Sequence, residues 1–103
     1  NTTYMRIAKI TVDSLQLNEY ILALKTQMQS ALKYEKGVLA YSALQDKKHP
    51  HKITIVETYA SVPAYRAHIE TDHFKKYKTT VENMVKDLEL TDVIPISIQT
   101  KLK

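Results

Sequence analysis

The residues most able to transfer a proton are concentrated between positions 57 and 74. This stretch contains His68 and His73, two of the four histidines, and Tyr59 and Tyr65, two of the seven tyrosines. An imidazole titrates near pH ~6.5 and therefore suits general acid–base catalysis at neutral pH. If the chain is an enzyme, we expect its chemistry to depend on this stretch.

His68 is the first candidate for a catalytic base. Tyr65 precedes it by three residues, a spacing that places both side chains on the same face of a helix. That face also carries apolar residues, so His68 is expected to turn toward the interior. A structural histidine that bonds to a backbone carbonyl explains the same pattern, and both interpretations stay open.

Two further polar side chains are expected nearby. His73 lies at the start of the following helical segment, where the helix dipole favours a neutral imidazole. It either donates to a substrate oxygen or caps the helix, and capping is the favoured role. Glu57 shares the register of Ile53 and Ile55 and is expected to point inward, where a carboxylate needs a partner. Pairing with Arg66 or a capping amide explains an inward Glu57 as well as a catalytic task does.

Aromatic residues recur at strand and helix spacing and are expected to line a cavity between the two layers. Core packing is the commoner role for each of them. A tyrosine hydroxyl can also bind a phenolic oxygen of a substrate. The predicted substrate-binding residues are Tyr41, Tyr59, Tyr65, Tyr77, Phe74 and Glu57.

The composition excludes several kinds of site. The chain has no cysteine, which excludes disulfides, thiolate zinc sites and a cysteine nucleophile, and its single glycine excludes glycine-rich phosphate loops. The net charge of +4 comes from lysines in runs no longer than two, so we expect no nucleic-acid interface. No apolar run approaches the length of a membrane span, so no membrane partner is expected. His49 and His51 lie in a polar turn without nearby carboxylates, so no metal site is predicted.

These side chains need elements that position them, and the hydrophobic periodicity predicts which ones. Alternation of apolar and polar residues predicts strands, and apolar residues three and four apart predict helices. Asp13 and Ser61 are expected N-caps, and Gly37 is expected to adopt the left-handed conformation that ends the first helix. The predicted elements are a strand over 5–12, a helix from Asp13 to about 35–36, strands over 38–45 and 53–59, a short helix after Ser61, a helical segment from Thr71 or Asp72 to Leu88, and a strand over 93–102.

The predicted order β-α-β-β-α-β belongs to the α+β class and is that of a ferredoxin-like fold, with two helices on one face of a four-stranded antiparallel sheet. We expect one domain over 1–103, with 1–4 as an N-terminal tail or tag remnant. Leu39, Tyr41 and Ala43 are assigned to the sheet face away from the helices. Such an apolar face predicts a homodimer with the two sheets face to face, in which the long last strand is available to pair with the partner.

The spacing of several of these residues resembles the antibiotic biosynthesis monooxygenase (ABM) domain family. The similarity runs from about residue 6 to residue 98 and rests on a diffuse motif rather than on a short signature. It implies a dimeric α+β barrel. The matching pattern is Glu35-x-Gly37-x3-Tyr41, Gln45-Asp46 and Glu57-x-Tyr59-x5-Tyr65-x2-His68-x2-Thr71-x-His73-Phe74.

Members of this family include oxygenases of hydroquinones, anthrones and related phenols that use neither metal nor flavin. The resemblance therefore implies a cofactor-independent monooxygenase that oxidises a small electron-rich aromatic compound of the hydroquinone or polyphenol type with O2. The substrate would supply the electrons, and no cofactor is expected. The alternative is an isomerase or small-molecule-binding domain of the autoinducer-2-processing type, which shares the pattern around Glu57 and His68 and uses no oxygen chemistry.

Haem-degrading relatives differ from this chain at two positions of the motif. They place a ligating histidine where this chain has Lys78, and a tryptophan where it has His68. Haem degradation is therefore not expected.

The cytoplasm is the expected location. A signal peptide removed before Asn1 would instead make the protein secreted or periplasmic.

Overall fold

Four antiparallel strands and three helices form two layers in residues 3–101, the part of the chain that the computed structural model describes. The strands are β1 (Tyr4–Val12), β2 (Val38–Gln45), β3 (Lys52–Tyr59) and β4 (Val85–Val93), and the helices are α1 (Leu17–Tyr34), α2 (Val62–His68) and α3 (Asp72–Val81). The order confirms the predicted ferredoxin-like α+β arrangement, with α2 and α3 in place of one second helix. Within residues 3–101, no helix has both the length and the apolar character needed to cross a membrane.

The core lies between the helices and β3 and β1, the two central strands of the sheet. The sheet order is β2-β3-β1-β4. Ala8, Ile10 and Val12 alternate along β1 and are buried, and Tyr20 and Leu24 of α1 pack into the same cluster at a four-residue spacing. The inward side chains of β1, which recur every second residue, and those of α1, which recur with the helical period, therefore pack in one apolar layer, as the sequence predicts.

Side-chain caps start the helices where the sequence indicates. The Asp13 carboxylate accepts from the Leu15 amide at 3.1 Å and opens a short 3-10 turn at Ser14–Gln16 ahead of α1. The Ser61 hydroxyl accepts from the Ala64 amide at 3.1 Å at the start of α2. These bonds satisfy amides that the first helical turn leaves without a partner.

Gly37 has a different role from the predicted one. The predicted left-handed conformation of Gly37 is wrong, because Gly37 does not have a positive φ. Helix α1 instead ends at Glu35, whose backbone is extended with φ −114° and ψ 109°. A Cβ atom added to Gly37 would lie 2.5 Å from the Cβ of Ala64. The glycine therefore permits a close approach between α2 and the turn ahead of β2.

A register shift in β2 reverses one predicted assignment of faces. Tyr41 pairs with Glu57 and Ala43 with Ile55, after an irregularity in the ladder between Val38 and Ala40. Paired residues share a face, so Tyr41 and Ala43 lie on the helix side and their predicted position on the outer face is wrong. An extra residue at such a bulge inverts the alternation, which strict period-two counting cannot detect.

The C-terminal elements also differ from the prediction. The helix ends at Val81 rather than Leu88, and the strand is Val85–Val93, which pairs with β1, instead of 93–102. Leu88 and Leu90 are two residues apart, which is a strand spacing. The three-residue spacing from Val85 to Leu88 instead resembles a helix, and it led to the wrong prediction. Residues 94–101 form no strand, and position 102 lies outside the described residues.

We expect Gly37→Ala to destabilise the protein by about 1–3 kcal/mol, because the new methyl group overlaps Ala64. Urea denaturation measures the change. The double variant Gly37→Ala/Ala64→Gly removes the overlap and should recover most of the loss. Equal losses in the single and double variants would contradict the close-approach explanation.

Candidate active site

A cavity of about 660 Å³ lies between the helices and the inner face of the sheet. Its volume is in the range that holds a small organic molecule. Leu88 and Leu90 of β4 face it and are 41% and 47% exposed, so the helices leave this side open. Each residue predicted to bind substrate lies on its wall: Tyr41, Tyr59, Tyr65, Tyr77, Phe74 and Glu57.

The strand register gives the cavity one polar end and one apolar end. Arg6 of β1 pairs with Glu57 of β3 and with Asp92 of β4, and Glu57 pairs with Tyr41 of β2, so four polar residues form one row across the sheet. The next row on the same face is apolar and consists of Ala43, Ile55, Ala8 and Leu90. A ligand with a polar edge and an apolar body matches this gradient.

A chain of hydrogen bonds connects the polar end to a buried ion pair. The Tyr41 hydroxyl lies 3.0 Å from Nε2 of His68, and Nδ1 of His68 lies 3.1 and 3.0 Å from the two carboxylate oxygens of Glu35. A carboxylate only accepts, so in a neutral imidazole Nδ1 carries the proton. Nε2 of His68 then accepts from Tyr41.

His68 itself does not line the cavity. Its side chain is fully buried behind the wall, where the ring of Phe74 packs at 4.8 Å between centroids. Tyr41 is the wall residue to which it is hydrogen-bonded. If His68 removes a proton from a ligand, the proton must therefore pass through the Tyr41 hydroxyl.

His73 lies on the other side of Glu35, away from the cavity. Its Nε2 is 2.5 Å from a carboxylate oxygen of Glu35, and its ring faces a groove between α1 and α3. His73 therefore orients Glu35 and does not line the cavity. Its predicted role at a substrate oxygen stays a prediction.

Glu35, His68 and His73 form the group within residues 3–101 whose donor atoms are close enough to hold one metal ion, all within 4.8 Å of one another. Two imidazoles and a carboxylate suit zinc or iron(II). Direct hydrogen bonds between the three side chains explain the same geometry without an ion.

Glu57 is the carboxylate on the cavity wall, and it is mostly buried. The Tyr59 hydroxyl donates to it at 2.5 Å. Burial raises the pKa of Glu57 above its ordinary value, and the hydrogen bond from Tyr59 and nearby cationic groups offset part of the rise. The predicted partner Arg66 makes no ion pair with it, and its partners are Tyr59 and the charge of Arg6.

Three of the tyrosines on the wall keep their protons. Burial raises the pKa of Tyr41, Tyr59 and Tyr77 above the ordinary phenol value. A second cause of the raised pKa of Tyr59 is its charge interaction with Tyr41 and Glu57. Tyr77 shares a 2.6 Å hydrogen bond with Tyr20 behind the wall. These hydroxyls therefore act as neutral donors and acceptors rather than as phenolates.

Cationic side chains face the polar end. Arg6 donates to the Tyr65 hydroxyl at 2.5 Å, stacks 4.9 Å from the centre of that ring, and pairs with Asp92 at 3.0 Å. Lys78 lines the cavity without an ion pair among residues 3–101, and its charge lowers the pKa of Glu57. The cavity therefore favours an anion at its polar end.

Sequence reasoning missed three residues of this site. The sequence places Glu35 at the end of a helix and in the pattern shared with the family, but it gives no sign that Glu35 orients both histidines. Gln27 is buried within the apolar stripe of α1 and bonds Tyr41 at 3.2 Å; a polar residue at a core position was the available signal. Arg6 occupies an inward position of β1, where a charge is unusual.

Comparisons with known proteins agree with the fold. Residues 3–80 match the family model of antibiotic biosynthesis monooxygenases. A crystal structure from Bacteroides thetaiotaomicron, provisionally designated an antibiotic biosynthesis monooxygenase, is 39% identical over 99% of this chain and 97% of that chain, with a TM-score of 0.94. A provisionally designated monooxygenase from Lactobacillus acidophilus is 25% identical over 90% of this chain and 44% of that chain, with a TM-score of 0.89.

A more distant structure from Nitrosomonas europaea has the same provisional designation as the Bacteroides protein. It is 19% identical over 91% of this chain and 90% of that chain, and its TM-score of 0.86 supports the fold alone. The comparison with curated proteins gave no match.

We expect the substitution Glu57→Gln to stabilise the protein more at pH 7 than at pH 4. A raised folded-state pKa means that the stability contributed by protonated Glu57 is complete below about pH 4.3 and is lost as the pH rises through the folded-state pKa. Glutamine stays neutral and still accepts from Tyr59. Each unit of the rise corresponds to about 1.4 kcal/mol.

Urea denaturation at both pH values measures this difference. The exposed Glu82→Gln is the matched control and should show no comparable pH dependence. A Glu57→Gln effect that is equal at pH 4 and pH 7 would show that burial does not raise the pKa of Glu57.

Proposed function

The chain belongs to the antibiotic biosynthesis monooxygenase family, and we propose that it is a cofactor-independent monooxygenase that oxidises a small electron-rich aromatic compound of the hydroquinone or polyphenol type with O2. The observation that carries the proposal is the hydrogen-bonded chain from Tyr41 through His68 to Glu35, which begins on the wall of a cavity large enough for such a compound.

The first task of the site is to remove a phenolic proton. A phenol has a pKa near ~10 and reacts with oxygen far more readily as its anion. The Tyr41 oxygen accepts the substrate proton while the Tyr41 hydroxyl passes its own proton to Nε2 of His68. The resulting imidazolium is stabilised by the carboxylate of Glu35, which is already in contact with Nδ1.

The second task is to stabilise the anion until it reacts. Lys78 and Arg6 place positive charge at the polar end of the cavity. A phenolate bound there is favoured over the neutral phenol, because opposite charges attract strongly where water is partly excluded. The reacting oxygen of the substrate therefore belongs at the Tyr41 end.

The substrate supplies the electrons for the reaction with O2. The phenolate gives one electron to O2, and the two radicals combine into a carbon-bound peroxide. The O–O bond then breaks, one oxygen atom stays on the ring carbon as a carbonyl and the other leaves as water. For a hydroquinone the balance is hydroquinone plus O2 to hydroxyquinone plus water. Apolar wall residues such as Ile10, Leu24 and Ile55 shield the radicals from water.

An isomerase or small-molecule-binding domain of the autoinducer-2-processing type is the second candidate. The same chain of hydrogen bonds supports it, since a base that acts through Tyr41 can also remove a proton next to a carbonyl group. This candidate predicts binding and proton transfer without O2 consumption.

The homodimer is also part of the proposal. On the sheet face away from the helices, Ile7 and Val56 pair across the two central strands. Met5 lies two residues before Ile7 on the same face, and Leu44 lies on that face of the edge strand β2. Leu44 is 57% exposed. A second copy packed on this face would bury these side chains.

We expect Tyr41→Phe to lower the rate of O2 uptake with the preferred quinol by at least about 100-fold, because it removes the hydroxyl through which His68 acts. An oxygen electrode measures the rate across a panel of hydroquinones and polyphenols. Tyr20→Phe removes a buried hydroxyl that does not line the cavity. That control should lose stability but keep the rate within about threefold.

Equal rates in wild type and Tyr41→Phe would rule out the chain through Tyr41. Ligands that raise the melting temperature of the wild type without O2 uptake across the whole panel would favour the isomerase or binding function instead.

For the dimer, we expect Leu44→Glu to shift the protein from dimer to monomer in light scattering coupled to gel filtration, because it places a charge in the buried interface. Leu22→Glu, on the 68% exposed side chain of α1, is the matched control and should leave the dimer unchanged. A wild type that is monomeric at micromolar concentration would overturn this part of the proposal.

A further inference from the structure

Glu57 is a carboxyl group on the cavity wall that takes no part in removing the phenolic proton. It lies on the inner face of β3, a central strand of the sheet, and lines the cavity. One of its oxygens, Oε1, accepts from the Tyr59 hydroxyl at 2.5 Å. The other oxygen, Oε2, has no hydrogen-bond partner among residues 3–101.

Oε2 of Glu57 is open to a ligand. In residues 3–101, the side-chain nitrogen and oxygen atoms that are both shut off from solvent and without a partner are Nε of Arg6 and Oε1 of Gln27; Oε2 of Glu57 is not one of them. Neighbouring strands cover both edges of β3, so the space in front of this oxygen is the cavity. Oε2 can therefore touch a bound molecule.

The strand register places Glu57 beside the residue that receives the first proton. Tyr41 of β2 lies directly opposite Glu57 of β3, and side chains paired in this way have Cβ atoms about 4.5–5.5 Å apart. A phenol whose hydroxyl meets Tyr41 therefore presents a neighbouring ring carbon to Glu57.

Oxygen insertion at that carbon requires a second proton carrier. O2 adds to the ring carbon next to the phenolate oxygen, and the peroxide anion must take up a proton before its O–O bond breaks. The same carbon must then lose its hydrogen as a proton so that a carbonyl can form. His68 already holds the phenolic proton at that stage, and the wall lysines Lys75 and Lys78 are ammonium ions, which lack an acceptor.

Glu57 meets both requirements. Because Tyr59 donates to Oε1, the proton of the acid form belongs on Oε2, the atom that faces the cavity. Burial also raises the pKa of Glu57 above its ordinary value, which favours this acid form. Among residues 3–101, Glu57 is the carboxyl group that lines the cavity.

We infer that Glu57 is a second catalytic residue, which gives a proton to the peroxide and then removes the proton from the ring carbon that carries the peroxide. The proton on Oε2 first moves to the outer peroxide oxygen. The Glu57 carboxylate then takes the proton of the ring carbon, the C–H electron pair becomes the second bond to the oxygen that stays, and the O–O bond breaks. The hydroxide that leaves takes the proton from His68 through Tyr41 and becomes water, so both groups return to their starting states. The inference rests on the proposed monooxygenase function.

A peroxide that receives no proton from Glu57 leaves the ring instead. The balance is then hydroquinone plus O2 to benzoquinone plus hydrogen peroxide, and the ring gains no oxygen. We expect Glu57→Gln to release more than about half of the consumed O2 as hydrogen peroxide, against less than about a tenth in the wild type, because glutamine still accepts from Tyr59 but is no acid.

An oxygen electrode, a hydrogen peroxide assay and mass spectrometry of the quinone under ¹⁸O2 measure this partition, with hydroquinone and its methyl derivatives as substrates and enzyme-free rates subtracted. Glu57→Asp keeps a carboxyl group and should release less hydrogen peroxide than Glu57→Gln. The exposed Glu82→Gln is the matched control and should equal the wild type. Tyr41→Phe should lower the rate of O2 uptake without changing the fraction released as hydrogen peroxide, and a merely distorted cavity would do the same.

Two outcomes separate this inference from the function on which it rests. A wild type that forms ¹⁸O-labelled quinone, together with a Glu57→Gln variant that releases the same small fraction of hydrogen peroxide, would overturn the role of Glu57 and leave the monooxygenase standing. A wild type that consumes no O2 with any of these quinols would reject the monooxygenase and the role of Glu57 with it.

Discussion

The hydrogen bond between the Tyr41 hydroxyl and Nε2 of His68 is the contact on which the rest of the site depends. It connects a fully buried histidine, which does not line the cavity, to the cavity wall. Glu35 fixes the imidazole from the opposite side, and Gln27 fixes the tyrosine. Three segments of the chain, α1 with its C-cap residue Glu35, β2 and α2, must therefore be placed correctly before this one bond can form. The proposed chemistry requires very little beyond it, because the substrate brings its own electrons.

Backbone features far from any titratable group create that contact. The irregularity between Val38 and Ala40 turns Tyr41 toward the helices. Gly37 lets α2, which carries His68, approach the start of β2 closely. The register of the four strands then places Tyr41, Glu57 and Arg6 in one row, next to an apolar one. The polarity gradient of the cavity is thus a consequence of strand pairing.

Many features of the fold could be predicted from the sequence, because they depend on local interactions. The alternation in β1 and β3, the stripe of α1 and the caps at Asp13 and Ser61 depend on neighbouring residues, and each agrees with the structure. Long-range effects were not accessible. Strict alternation placed Tyr41 on the wrong face, because a bulge leaves no mark in the pattern, and the three-residue step from Val85 to Leu88 resembled a helix. The role of Glu35 depends on two histidines more than 30 positions away in the chain. Whether the wall residues bind a substrate stays a prediction.

We propose that this cavity inserts an oxygen atom from O2 into an aromatic substrate without a bound cofactor. The most direct measurement is mass spectrometry of the product formed under ¹⁸O2 by protein whose metal and haem content has been determined. We expect one ¹⁸O atom in the product, the other in water, and no stoichiometric metal or haem in the active protein. A product labelled only from ¹⁸O-water, or activity that follows the metal or haem content, would contradict it.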